Sequence, residues 1–194
     1  MRAHQYKFLL ILFLMLAFGS TNAQEPADRI IPKINDGPLR SFPESVRNAQ
    51  LKSVRGDYFR LSDYSGKVLV VNLWATWCGP CKFKTPALVK LQREFRSQGV
   101  RVVELSTENP KNSKVDLRKW VRRFKVSYRV GWAPPKVALT LMNGRDAIPQ
   151  TFIVSKTGRI VRRFIGWNPV ETVPLWKLAI REAIDDKKEP SEEN

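Results

Sequence analysis

The sequence predicts an α/β fold, a central β-sheet flanked by helices with an extra β-hairpin on its N-terminal side. Three observations carry that expectation. Residues 67–74, KVLVVNLW, form an almost continuous β-branched and apolar run, which suits a central strand covered on both faces. Segments with helical spacing alternate with further strand-like runs from there to residue 184. Apolar residues make up 43% of the 194-residue chain, enough for one sizeable core and too many for disorder.

The first segment stands apart from that fold. Residues 1–7 carry Arg2 and Lys7 and no acid, and residues 8–18, FLLILFLMLAF, are unbroken apolar sequence. Gly19, Ser20 and Thr21-Asn22-Ala23 follow. A basic start, a short apolar run and a small-residue site read as a signal peptide over residues 1–23. The apolar run is too short to span a bilayer, although retention as a membrane anchor is the alternative reading. The expectation is an exported protein, periplasmic or otherwise extracytoplasmic. Cleavage after Ala23 removes His4, the one histidine of the chain. That excludes Ser-His and Cys-His catalysis and imidazole metal ligation in the mature protein.

Residues 24–47 hold Pro26, Pro32, Pro38 and Pro43 and little apolar periodicity, and read as an extended arm. The folded domain is expected over residues 48–184. Gln50–Ser53 and Tyr58–Leu61 flank Val54-Arg55-Gly56-Asp57 as a hairpin, and Ser65-Gly66 turns the chain into the 67–74 strand. Leu88, Leu91 and Phe95 then mark a helix ending near Gly99. Val100–Leu105 is a second strand, and Leu117, Trp120, Val121 and Phe124 mark a second helix. Val126–Val130 reads as a short strand. Pro134 or Pro135 opens a helix through Val137 and Leu141 to Gly144. Thr151–Val154 and Ile160–Ile165 are strands joined at Lys156-Thr157-Gly158, and Trp176, Ile180 and Ile184 define a last helix. Residues 185–194 hold five acids and two bases and read as a charged flexible tail. Strands alternating with helices imply right-handed crossovers.

Chemistry concentrates in Trp77-Cys78-Gly79-Pro80-Cys81, directly after the central strand. Two cysteines three apart at a helix start can close a small disulfide ring. Cys78 at the helix N-terminus meets unpaired N–H groups and the positive end of the helix dipole, which favour its thiolate, the attacking species in disulfide exchange. Cys81, one turn further in, would resolve the mixed disulfide. Pro80 lacks an N–H, which costs little in a first helical turn. A zinc site needs about four ligands, and the chain has two cysteines and no mature histidine, so no metal is expected.

The stretch ending at Cys81, LSDYSGKVLVVNLWATWCGPC, resembles the TlpA/ResA-type thiol–disulfide oxidoreductases, exported members of the thioredoxin superfamily. The resemblance covers residues 45–185 and includes Ile148-Pro149-Gln150-Thr151-Phe152. It implies a thioredoxin-like fold with a mixed sheet, no cofactor, and protein disulfides or dithiols as substrates. It also implies a membrane thiol electron donor and a role such as cytochrome c maturation. By position, Pro149 matches the superfamily's cis-proline beside the disulfide. Ile148 then offers backbone groups to an extended substrate. Pro86 matches the proline inside the active-site helix, and Trp77 the aromatic before the nucleophile.

Two positions depart from the pattern. Thioredoxins carry a buried Asp six residues before the nucleophile, where this chain has Asn72. Many TlpA/ResA-type members carry Glu three residues after the second cysteine, where this chain has Lys84. Neither usual proton acceptor for Cys81 is present. Asn72 can position a water. Lys84 either faces the site and favours thiolate or points to solvent. Glu104, Glu108 and Asp146 flank strand ends and are weaker substitutes. Both Asn72 and Lys84 are candidates for tuning thiol acidity.

The function expected is reduction of protein disulfides, with a dithiol oxidase or isomerase, or a non-catalytic binding module, as alternatives. A peroxidase fits poorly: peroxiredoxins carry Thr three residues and Pro seven residues before the reactive Cys, positions held here by Ala75 and Val71. The chain has 34 Lys+Arg against 18 Asp+Glu, net +16. Export argues against nucleic acid as its partner, so the basic surface is either a solvated face or a means of docking to an acidic partner or an anionic membrane. A monomer is expected.

Overall fold

A computed structural model describes residues 41–111, 113 and 116–186. The segment expected to be a signal peptide, the arm up to residue 40 and the tail from residue 187 lie outside them. Among the described residues no helix is long and apolar enough to cross a membrane.

The main sheet has five strands. In chain order they are β3 (Val68–Trp74), β4 (Val100–Ser106), β5 (Arg129–Trp132), β6 (Gln150–Val154) and β7 (Ile160–Ile165). Their order across the sheet is β5-β4-β3-β6-β7, with β3, β4 and β5 parallel, β6 antiparallel to β3 and β7 antiparallel to β6. This is the mixed thioredoxin-like sheet. β1 (Leu51–Lys52) and β2 (Tyr58–Phe59) pair antiparallel as the separate N-terminal hairpin. The helices are α1 (Glu44–Arg47), α2 (Gly79–Phe95), α3 (Leu117–Arg123), α4 (Pro135–Met142) and α5 (Pro169–Asp185).

Every residue of β3 is buried, as a strand covered on both faces requires. Leu69, Val71 and Leu73 pack with Val103, Leu105 and Phe152 against Phe42, Val46, Phe59 and α4. Val68 and Val70 face the other way, against Leu88, Leu91 and Phe95 of α2 and Trp176 and Ile180 of α5. The same inward face continues along β3 to Asn72 and Trp74, which places both beneath the start of α2.

Three boundaries differ from the sequence reading. The segment read as an extended arm to residue 47 is already part of the domain. Phe42 and Val46 are buried, Phe42 meets Phe152 edge-on at 5.5 Å, and Glu44–Arg47 form one helical turn. One turn is too short to show a period, so two apolar residues four apart did not register as a helix. The strand read at Val126–Val130 lies later, at Arg129–Trp132. Lys125 adopts φ 51° and the Val126 N–H donates to the Val121 carbonyl, so Val126 closes α3 and packs into the core there. The final helix is longer than its apolar stripe. The Asn168 side chain accepts the Val170 N–H at 3.0 Å and starts α5 well before Trp176. At the other end Asp185 is helical, and Asp186 accepts from Arg159 at 2.7 Å and Thr157 at 3.0 Å. The tail therefore does not begin at residue 185.

The hairpin sits against β5. Ser53 bridges Gly131, and the Val54 N–H donates to the Val130 carbonyl at 3.0 Å. A Cβ on Gly131 would lie 2.8 Å from the Lys52 carbonyl oxygen and 2.9 Å from the Phe59 ring. Gly131→Ala is expected to destabilise the protein by about 1–3 kcal/mol, because backbone and a buried ring must both give way. Urea unfolding checks this, and an unchanged midpoint would contradict the close approach.

Candidate active site

The chain leaves β3 at Trp74 and turns through Ala75-Thr76-Trp77 into α2. Glu108, just beyond β4, pins that turn. Its carboxylate accepts the Thr76 backbone N–H at 2.7 Å, the Thr76 hydroxyl at 2.8 Å and the Ser106 hydroxyl at 3.1 Å. Glu108 is thus a loop anchor. Asp146, the other outlying acid of the sequence reading, is exposed.

Cys78 caps α2. Its N–H donates to the Ala75 carbonyl at 3.1 Å and its Sγ accepts the Cys81 N–H at 3.3 Å. Gly79 and Pro80 fill the first turn without a side-chain clash or a wasted donor. Cys78 and Cys81 form a disulfide with Cα atoms 5.3 Å apart. Cys78 keeps 5% of its surface exposed and Cys81 only 1%, so an incoming sulfur reaches Cys78 first. Pro86 lies inside α2, one turn past Lys82.

The Ile148–Pro149 peptide bond is cis. The Ile148 carbonyl oxygen lies 3.9 Å from Cys78 Sγ, so this backbone borders the disulfide. Trp77 is 71% exposed and Phe83 75%, an apolar rim on either side of the cysteines. Trp77 is therefore not a core tryptophan. Phe83 was missed in the sequence, where a lone aromatic at the start of a helix carries no period.

Gln150 was also missed as a site residue. Its Nε2 donates to the carbonyls of Arg145 at 2.8 Å and Ala147 at 2.7 Å, and its Oε1 accepts from buried Arg163. Arg163 donates in turn to the Met142 carbonyl at 2.6 Å. This clamp fixes the loop that enters Ile148–Pro149. A polar residue next to a proline gives no such signal, because its partners lie on another strand.

Beneath α2 a polar row crosses three strands. Asn72 of β3 stands in register with Glu104 of β4 and Thr151 of β6. Asn72 Nδ2 donates to Glu104 Oε1 at 2.9 Å, and Thr151 Oγ1 donates to Asn72 Oδ1 at 3.2 Å. The Asn72 amide is thus engaged by side chains rather than held ready for a water. Tyr128 Oη donates to Glu104 Oε2 at 2.9 Å. All three row members are fully buried.

Lys84 is also fully buried, not solvent-facing. Its Nζ lies 5.1 Å above the Trp176 ring and has no hydrogen-bond partner among the described residues. Burial pushes Lys84 down to about 7, against the opposing pull of the Glu104 charge. Burial pushes Glu104 up to about 7, opposed by the Tyr128 and Asn72 hydrogen bonds and the Lys84 charge. Burial and the Glu104 charge hold the Tyr128 hydroxyl well above its usual range.

The basic stretch around α3 divides as its spacing suggests. Trp120 is buried against Trp74, with ring centroids 4.8 Å apart, and against Phe124 at 4.5 Å. Lys119, Arg122, Arg123 and Lys125 are exposed and Arg129 is half-buried.

Known proteins resemble the chain over much of its length. The AhpC/TSA family model matches residues 43–163. The chain is 28% identical to the thiol–disulfide oxidoreductase ResA of Bacillus subtilis (strain 168), over 81% of each sequence. It is 30% identical to ResA of Geobacillus kaustophilus, over 63% of this chain and 68% of that one. A thiol:disulfide interchange protein of the thioredoxin family from Chlorobium tepidum superposes with a TM-score of 0.60 at 21% identity, covering 80% of this chain and 98% of that one. Xanthomonas campestris peroxiredoxin Q superposes with 0.62 at 14% identity, covering 76% and 99%, which shows the shared fold alone.

Proposed function

The chain belongs to the AhpC/TSA family and is a thiol–disulfide oxidoreductase of the ResA kind, and from that premise we propose that it reduces protein disulfides outside the cytoplasm. The observation that carries this reading is Cys78. It caps a 17-residue helix, accepts an N–H from that helix, and is the more exposed member of the disulfide, beside the Ile148 carbonyl.

The reaction follows from that placement. In the reduced protein the helix dipole and the Cys81 N–H favour the Cys78 thiolate. The thiolate attacks one sulfur of a substrate disulfide and the other leaves as thiolate, giving a mixed disulfide. Cys81 loses its proton and attacks Cys78. The Cys78–substrate bond breaks, its electron pair departs with the substrate sulfur, and the Cys78–Cys81 disulfide remains. The exposed Trp77 and Phe83 and the Ile148 backbone hold the substrate segment in extended form. A thiol donor at the membrane restores the dithiol.

Residues 1–23 support export, and the resemblance to TlpA/ResA-type proteins supports a task such as cytochrome c maturation. The exposed cations around α3 support docking to an acidic partner or an anionic membrane surface. The peroxidase reading lacks its hydroxyl, because Ala75 stands three residues before Cys78.

Equilibration of the mature protein in glutathione buffers tests the direction. A potential near thioredoxin's, about −270 mV, is expected for a reductase, and one near DsbA's, about −120 mV, would overturn that direction.

A further inference from the structure

Glu104 and Lys84 are two fully buried ionisable side chains under the active-site helix, and no step above uses them. Lys84 is three residues after Cys81 on the same buried face of α2, so the two are helical neighbours. Glu104 lies on the strand beneath, at the Asn72 level, two residues before the Trp74 level at which β3 gives way to the Cys78 turn. The polar row ties Glu104 to Asn72 and Thr151, and Tyr128 holds its second oxygen. The Lys84 ammonium has no hydrogen-bond partner among the described residues and instead lies over Trp176. A buried acid and a buried base kept without a tight mutual bond are poor stabilisers, because each has given up its hydration. Their arrangement leaves both able to change protonation.

We propose that the Glu104–Lys84 pair sets the protonation of Cys81, taking up its proton when Cys81 resolves the mixed disulfide. This deepens, and rests on, the oxidoreductase reading. The proton leaves Cys81 Sγ and ends on the Glu104 carboxylate. The Lys84 ammonium, one turn from Cys81, offsets the charge of the new thiolate. That thiolate forms the bond to Cys78 Sγ, and the bond between Cys78 and the substrate sulfur breaks with its electrons going to the substrate. Glu104 then returns its proton as the pair re-equilibrates with water. The titratable groups facing Glu104 are Lys84 from α2 and Tyr128 from the segment before β5. Asn72 from β3 is neutral, as is Thr151 from β6 behind it. The pair occupies the place in the mechanism left empty by Asn72 and by the lysine at position 84. Glu104 thus exchanges a proton with the resolving thiol itself, while Lys84 acts on it through charge alone and is a positioning residue.

The test uses reduced full-length mature protein and 5,5′-dithiobis(2-nitrobenzoate) in stopped flow. The first chromophoric thiol released reports attack by Cys78, and the second reports resolution by Cys81. In the wild type the second release is expected to rise with pH through an inflection near 7 as Glu104 loses its proton, and to fall again as Lys84 gives up its own. In Glu104→Gln the second release is expected to slow at least about tenfold at neutral pH and to lose that inflection, with the first release unchanged. In Tyr128→Phe, which removes a hydrogen bond that favours the carboxylate, the inflection should move to higher pH. Tyr128→Phe keeps the ring in place and decides the matter if Glu104→Gln does not fold. A second release with unchanged rate and pH profile in the folded variants would overturn the pair. A wild-type protein that shows no second release would instead overturn the oxidoreductase reading.

Discussion

Cys78→Ser is expected to lower disulfide-reducing turnover by at least about a thousandfold, while Cys81→Ser stops the reaction one step later and accumulates a mixed disulfide. The asymmetry follows from position. Cys78 is the N-cap, is 5% exposed and borders Ile148. Cys81 is 1% exposed and lies inside the first turn, so it cannot take over the attack on an external disulfide. A hydroxyl at residue 78 is not ionised by a helix dipole, so the loss is one of nucleophile rather than of fold. Turnover of a protein disulfide substrate, with mass spectrometry of the quenched mixture, separates the two variants. A Cys78→Ser protein with substantial turnover, or a Cys81→Ser protein that leaves no mixed disulfide, would contradict the assignment of roles.

The second large effect concerns stability against pH. Glu104 sits near 7 when folded and near 4.5 in its ordinary state. The folded protein therefore binds the extra proton between those values. The stability this gives is fully present below about 4.5 and is lost as pH rises through about 7. Lys84 sits near 7 when folded and near 10.5 otherwise. Its contribution is fully present above about 10.5 and is lost as pH falls through about 7. The two slopes meet, so this pair should cut a trough in stability centred near pH 7, on the order of a few kcal/mol deep on either side. Urea unfolding across the range measures it. The double variant Glu104→Gln/Lys84→Met is expected to flatten the trough and gain stability at neutral pH, as replacing a buried ion pair by neutral groups often does. A wild-type profile with its maximum at pH 7 and no change in the double variant would contradict it.

The two cysteines, the central strand and the crossover order were legible because each is a local signal. KVLVVNLW reads as a doubly covered strand without reference to any neighbour, and all of its seven strand residues proved buried. Leu88, Leu91 and Phe95 likewise show a period within one helix. What was not legible depends on partners distant in sequence. Glu104 is the one acid of a largely apolar strand that also carries Arg101, and only the register that sets it beside Asn72 reveals it as part of a row. Lys84 lies on a helix where lysines are common, and whether it pointed inward or out turned on one rotation about α2. Gln150 matters through Arg163, thirteen residues on and across an antiparallel pair. Phe42 and Val46 belong to the core through β6 and α4, so a proline-rich stretch read as extended until those elements were in place.

The hairpin described above has a bearing on how copies of this chain treat one another. β5 is the outer strand of the sheet on one side, and a bare outer strand is a template on which another chain can add. Ser53 and Val54 occupy that row of donors and acceptors, and Ser41 does the same near β7 by bridging Arg159. The β7 strand also carries Arg162, paired at 3.5 Å with Glu182, a charge that an incoming strand would have to strip of its partner. The β5 margin is thus covered by the chain's own N-terminal hairpin and the approach to β7 is bridged at Arg159, which guards the folded protein against growing edge to edge from the β5 side.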